Sequence, residues 1–171
     1  MRIYLLGFMG SGKTTLGKKV AARLDVPFVD TDEWVISKEG KSIQDIFRHH
    51  GESHFRSIEA TVVRKTAEYD KALIATGGGT PVHDNNMEWL LQHGVTIFLR
   101  WPEDLLIASL LHHRSIRPLL SSLTDVEASS KVMELLHERI PVYERSAMTI
   151  EMTGDETMDE DLLTEACKYI W

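Results

Sequence analysis

Cysteine is almost missing from this chain: Cys167 is the only one. No disulfide can form within it, which suits a reducing cytosol. Long apolar runs are missing as well, and none reaches the length of a membrane span. Met1 leads directly into a strand-like segment, with no signal peptide ahead of it. Positive charge is in the minority: 19 Lys and Arg against 26 Asp and Glu give a net charge of −7. That balance argues against a nucleic-acid partner and reads as a solubilising surface. Internal repeats and low-complexity tracts are absent. What is present is 171 residues, enough for one domain, 1–171, with an adequate core. No coiled coil or large apolar stripe points to assembly, so a monomer is expected.

Gly7-Phe8-Met9-Gly10-Ser11-Gly12-Lys13-Thr14-Thr15 fits the phosphate-loop pattern G-x-x-x-x-G-K-[ST]. Its flanks supply the required context. The segment 2–6 reads as a short buried strand, and 16–24 reads as a helix with Leu16, Val20 and Leu24 on one face. In such a loop successive backbone N–H groups turn inward on a phosphate, and the helix N-terminus adds partial positive charge. Gly10, Ser11, Gly12, Lys13, Thr14 and Thr15 are therefore the candidate nucleotide-phosphate contacts. Lys13 supplies a mobile charge for the β- and γ-phosphates, and the Thr14 hydroxyl can ligate Mg²⁺.

Strand-like segments at 2–6, 27–30, 72–76, 95–100 and 149–152 alternate with helical patterns. The helices are expected at about 32–38, 42–50, 53–68, 85–92, 103–111, 125–139 and 157–170. Pro141 is expected to end the sixth, because a proline disfavours helical geometry in the residue before it. The alternation predicts an α/β fold around a parallel sheet with right-handed crossovers, whose ligands bind beyond the carboxyl ends of the strands. A polar stretch, about 112–124, interrupts the pattern. It reads as a mobile lid carrying Arg114 and Arg117 in preference to a plain solvent loop.

Four further groups stand out. Asp30-Thr31-Asp32 ends the second strand, on the edge where the phosphate loop emerges. One carboxylate can hold Mg²⁺, and the other can accept a proton from, or orient, an attacking hydroxyl. Alternatively, Thr31 or Asp32 simply caps the next helix. Arg56 and Glu59 are i,i+3 neighbours, either an exposed ion pair or an arginine held to fork a substrate carboxylate. Gly77-Gly78-Gly79 follows the third strand, as a loose connection or as backbone that must approach a ligand closely. Arg139, near a helix end, suits the helix dipole on local grounds alone. His50 and His54 read as surface histidines, since no Cys or H-E-x-x-H pattern completes a zinc site.

In this order, the phosphate loop, Asp30-Thr31-Asp32, Phe55-Arg56, Gly77-Gly78-Gly79, Arg117-Pro118-Leu119-Leu120 and Arg139 four residues before Tyr143, the chain resembles the shikimate kinases along nearly its whole length. The resemblance implies a phosphate-loop kinase: a three-layer α/β/α sandwich with a central five-stranded parallel sheet and a mobile lid. It also implies substrate-binding helices at about 32–68 and ATP-dependent phosphorylation of the 3-hydroxyl of shikimate in the cytoplasm, with ATP and shikimate as the small-molecule partners and Mg²⁺ as the metal. Asp32, Lys13 and Arg117 would be catalytic. Asp32, Arg56, Gly78 and Arg139 would bind shikimate, Thr14 and Asp30 would serve Mg²⁺, and Arg117 would reach ATP from the lid. A gluconate or nucleoside-monophosphate kinase of the same architecture is the nearest rival. A GTPase switch is excluded by the lack of N-K-x-D and D-x-x-G.

Overall fold

The computed structural model describes residues 1–112 and 123–171; nearly all of the expected lid, with Arg114 and Arg117, lies outside them. The strands are β1 (Arg2–Leu6), β2 (Phe28–Asp30), β3 (Ala72–Ala75), β4 (Val95–Arg100) and β5 (Met148–Glu151). They form one parallel sheet in the order β2-β3-β1-β4-β5. A helix follows each strand or pair of connections: α1 (Lys13–Arg23), α2 (Thr31–Glu39), α3 (Ile43–Lys65), α4 (Asn86–His93), α5 (Glu103–His112), α6 (Asp125–Tyr143) and α7 (Glu156–Ile170).

The inner strands read as continuous apolar runs because both of their faces are covered. Ile3, Leu5, Leu73, Ile97 and Leu99 point to one side and pack with Leu16 and Val20 of α1 and Leu163 and Cys167 of α7. Tyr4, Leu6, Ile74 and Phe98 point to the other side. They pack with Val63 of α3, Met87 and Leu90 of α4, and Val132 and Leu136 of α6. The period-two alternation of strand side chains thus produces the expected three layers. Burial pushes the Cys167 thiol up to about 12, so it is an inert core residue.

Register decides where the loops emerge. Leu5 lies opposite both Ala75 and Ile97, and Ala75 lies opposite Asp30. The carboxyl ends of β1, β2 and β3 are therefore level, and the segments after them share one edge of the sheet. Over that edge α2 and α3 stand on a small core of their own, made of Val35, Ile46, Phe55, Ile58 and Val62. The helices expected at 42–50 and 53–68 are the two parts of α3, which breaks at Gly51 (φ 79°, ψ 173°). Residues 66–68 close it as a 3₁₀ turn.

One expectation fails. Pro141 does not end the sixth helix, which runs on to Tyr143. Val132, Leu136, Arg139 and Tyr143 share its buried face, and burying that stripe carries the helix past the missing N–H. The carbonyls beyond are also satisfied, Ile140 by the Glu144 N–H at 2.9 Å and Val142 by the Arg145 N–H at 3.2 Å.

The turn between α4 and β4 is tightly constrained. A side chain at Gly94 would bring its Cβ within 2.6 Å of the Arg2 carbonyl and 2.7 Å of the Tyr4 ring. Backbone oxygen cannot yield as a flexible side chain can. Gly94→Ala should therefore cost about 2 kcal/mol through overpacking. At this chain length that is a fall in Tm of roughly 5 °C, measurable by thermal unfolding; an unchanged Tm would contradict the geometry.

Candidate active site

The phosphate loop joins β1 to α1. Gly12 caps α1 in the left-handed region (φ 79°), which frees the first N–H groups of the helix to face an anion. The indole N–H of Trp101, half-buried beyond β4, donates to the Ser11 carbonyl at 3.0 Å and anchors the loop from behind. Lys13 is 7% exposed. Its ammonium group donates to the carbonyls of Gly7 (2.9 Å) and Phe8 (2.8 Å) and to Ser11 Oγ (3.2 Å). The loop residues Gly10 to Thr15 line a cavity of about 280 Å³ together with Asp30, Asp32, Thr76 and Gly78.

The cap of α2 is Asp30 and not Thr31 or Asp32, the residues that the sequence offered for it, because the strand ends one residue before the helix begins. Asp30 Oδ1 caps α2, accepting from the N–H groups of Asp32 (2.9 Å) and Glu33 (3.1 Å). Its Oδ2 accepts from the Thr14 hydroxyl at 2.6 Å. The cap fixes the carboxylate, and the free edge meets the hydroxyl at the cavity wall. Two hard oxygen donors side by side suit Mg²⁺, which takes few protein ligands and keeps several waters. Among the described residues no group of three or more His, Cys, Asp or Glu forms an all-protein metal cage.

A second cavity, of about 420 Å³, opens beside the first and is walled by α3, the triple glycine and α6. Phe47 and Phe55 give it an aromatic side, with the Arg56 guanidinium 6.0 Å and 5.1 Å from their ring centroids. Arg56 is held from two directions. It donates to Glu52 Oε1 through Nε (3.2 Å) and an Nη (2.9 Å), and to Glu59 Oε2 (3.1 Å). Glu59 is 1% exposed, and its other oxygen accepts from Thr80 at 2.6 Å. The Arg56–Glu59 pair is therefore a buried positioning contact and not an exposed helix pair. Arg139 is 7% exposed and lies over the Phe8 ring, 5.4 Å from its centroid. No carboxylate lies within ion-pairing distance of it among the described residues.

Met9, Asp32 and Gly78 belong to the walls of both cavities. Burial raises the Asp32 carboxyl, the neighbouring Asp30 and Glu59 carboxylates raise it further, and Lys13 and Arg56 pull it back in part, leaving it at about 7. A carboxylate so tuned can take a proton near neutral pH. Lys13, Thr14, Asp30, Asp32, Arg56, Gly78 and Arg139 are thus gathered into one cleft, as expected; Arg117 lies outside the described residues. Two contacts went unread in the sequence. Glu52 sits four residues before Arg56, a spacing that could have revealed it. Tyr143 donates its hydroxyl to the Gly78 carbonyl across 65 residues, a bond that no local pattern signals. His50 and His54 are exposed, their rings tilted at 41° with 4.9 Å between centroids, and neither lines the two cavities.

The Asp32 shift has a stability consequence. Its folded pKa lies above the unfolded one, so its contribution to stability is intact below about pH 4 and is lost as pH rises through 7. Asp32→Asn carries no such charge. It should be the more stable protein at pH 8, by up to roughly 4 kcal/mol, and the gap should shrink to less than half at pH 5. Urea midpoints at the two pH values check this, and a gap that is constant with pH would rule out the shift.

Comparison with known proteins agrees along the whole length. The family model for shikimate kinase matches residues 9–170. A shikimate kinase of Caldanaerobacter subterraneus subsp. tengcongensis is 40% identical over 158 residues, which cover 92% of this chain and 90% of that protein. The crystal structure of shikimate kinase from Bacteroides thetaiotaomicron superposes with a TM-score of 0.90 at 32% identity, covering 98% of each chain. Shikimate kinase from Acinetobacter baumannii in complex with shikimate superposes with a TM-score of 0.87 at 32% identity, covering 98% of this chain and 93% of that one. Among the described residues no helix is long and apolar enough to cross a membrane.

Proposed function

The chain belongs to the shikimate kinase family, and from that premise we propose how its cleft carries out the family's reaction. That reaction moves the γ-phosphoryl group of ATP to the 3-hydroxyl of shikimate, giving shikimate 3-phosphate and ADP on the route to chorismate and the aromatic amino acids. The observation that carries the residue assignment is the sharing of Asp32 and Gly78 between the two cavities. A hydroxyl beside Asp32 would face a phosphate held by the loop.

The loop N–H groups from Gly10 to Thr15 cradle the ATP phosphates. Lys13 exchanges its carbonyl partners for phosphate oxygens, whose charge makes them the stronger acceptors. Thr14 and Asp30 would hold Mg²⁺, whose positive charge would offset that of the ATP phosphates. Arg56 and Arg139 take the shikimate carboxylate, and the Gly78 backbone takes a ring hydroxyl. Asp32 orients the 3-hydroxyl and receives its proton as the oxygen attacks the γ-phosphorus and the bond to the ADP oxygen breaks. Arg117 approaches ATP from outside the described segments. The protein does little covalent chemistry in this scheme; alignment and charge carry the rate. A monomer working in the cytosol is consistent with one buried thiol and an acidic surface.

An ADP-release assay with shikimate, gluconate and AMP tests the reading. Turnover is expected with shikimate alone; turnover with only one of the other two would overturn it. In the same assay Arg56→Ala should raise the KM for shikimate roughly 30- to 100-fold, the loss of a charge-assisted carboxylate contact, and leave the KM for ATP within about threefold. Equal increases in both would assign Arg56 to the scaffold.

A further inference from the structure

Tyr143 is wholly buried, 0% exposed, in the last turn of α6. Its ring packs against Phe98, 5.2 Å between centroids, and needs no hydroxyl to do so. Yet the hydroxyl donates to the carbonyl of Gly78, and the Arg139 guanidinium, one turn earlier on the same buried face of α6, lies near enough to act on the phenol through its charge. Gly78 in turn lies against the phosphate loop: a Cβ there would stand 3.0 Å from the Met9 nitrogen.

We propose that Tyr143 is a positioning residue for the acceptor: its hydroxyl holds the Gly78 peptide against α6, beside the Arg139 guanidinium, so that the two groups meet the substrate in one fixed register. The proposal rests on the reading that Arg139 and Gly78 bind shikimate. A guanidinium on a long side chain loses rotamer freedom when it is fixed, and a partner that fixes it beforehand removes that cost from binding. Among the described residues no carboxylate pairs with Arg139, whereas Arg56 has two. The neutral phenol beside Arg139 adds no negative charge that would repel an anionic ligand. Burial raises the Tyr143 hydroxyl further above its ordinary range, so it stays a neutral donor at every working pH. The bond also sets the plane of the peptide. A trans peptide points its N–H opposite its C=O, so holding the Gly78 carbonyl on α6 fixes the direction of the Gly79 N–H. Both glycines line the acceptor cavity.

Tyr143→Phe keeps the ring and removes only the hydroxyl. The expected result is a KM for shikimate raised roughly five- to tenfold, with the KM for ATP unchanged and the melting temperature within a few degrees of wild type. A purely structural role would not be confined to one substrate. In an Arg139→Ala background the same change should add less than about twofold, since a substrate no longer fixed by its carboxylate gains little from an aligned Gly78 peptide. Full effects that simply multiply would overturn the proposal, as would parallel rises in both KM values or no change at all. A wild type that does not turn over shikimate overturns the parent reading and this one with it. A wild type active on shikimate beside an unaltered Tyr143→Phe overturns this one alone.

Discussion

Every group that faces a ligand depends on how closely the backbone after β3 approaches the backbone of the phosphate loop. β1 and β3 are hydrogen-bonded neighbours that end level, Leu5 opposite Ala75. A Cβ at Gly78 would lie 3.0 Å from the Met9 nitrogen and 3.4 Å from the Phe8 carbonyl carbon. Any side chain there would wedge the two loops apart. Without one, the walls of the donor and acceptor cavities merge at Gly78 and Asp32. Phosphoryl transfer needs attacking and leaving oxygens nearly in line across one phosphorus, so a separation of even an ångström matters. The sheet provides this proximity before any substrate arrives.

Charge is arranged against the global balance. A chain of net charge −7 sets Lys13, Arg56 and Arg139 around one cleft, each held by different means. Carbonyls and a hydroxyl surround Lys13, carboxylates surround Arg56, and Arg139 lies over an aromatic face beside a phenol. Among the described residues no carboxylate pairs with Arg139, and burying a cation without a matching anion is unfavourable. In the proposed reaction a substrate carboxylate would relieve that cost at Arg139. Asp32 is the opposite case. Its like-charged neighbours and its burial oppose ionisation, and the same strain makes it an effective proton acceptor.

Much of this was legible in the sequence, and the reasons are particular. The five strands were readable because strands covered on both faces are continuous apolar runs. The phosphate loop was readable because its chemistry admits few residue types. The cap of α2 was sought at Thr31 or Asp32 and lies at Asp30, one of whose oxygens caps the helix while the other meets Thr14. Arg139 was illegible locally, because burial is a tertiary fact and an arginine near a helix end has an ordinary explanation. The end of α6 was misread for a related reason. Local proline sterics argued for a stop, and packing of Tyr143 outweighed them. The Tyr143 bond to Gly78 spans 65 residues and follows no period, so only the fold could reveal it.

The acceptor wall is tied to the sheet by a chain of polar contacts on one side of a backbone break. Arg56 donates to Glu59, Thr80 donates to Glu59 at 2.6 Å, Asn86 donates to the Thr80 carbonyl at 2.9 Å, and Arg64 reaches Asn86. These residues join α3, the segment after the triple glycine and α4. On the α3 side, Arg56, Glu59 and Arg64 all follow Gly51, where the helix leaves helical geometry. Ile43, Gln44 and Phe47 of the cavity wall precede that break, and Glu52, the first residue after it, accepts from Arg56. The charged contacts of the wall thus lie on one helical segment, while Phe47 of the other segment meets Phe55 across the break, 4.8 Å between ring centroids.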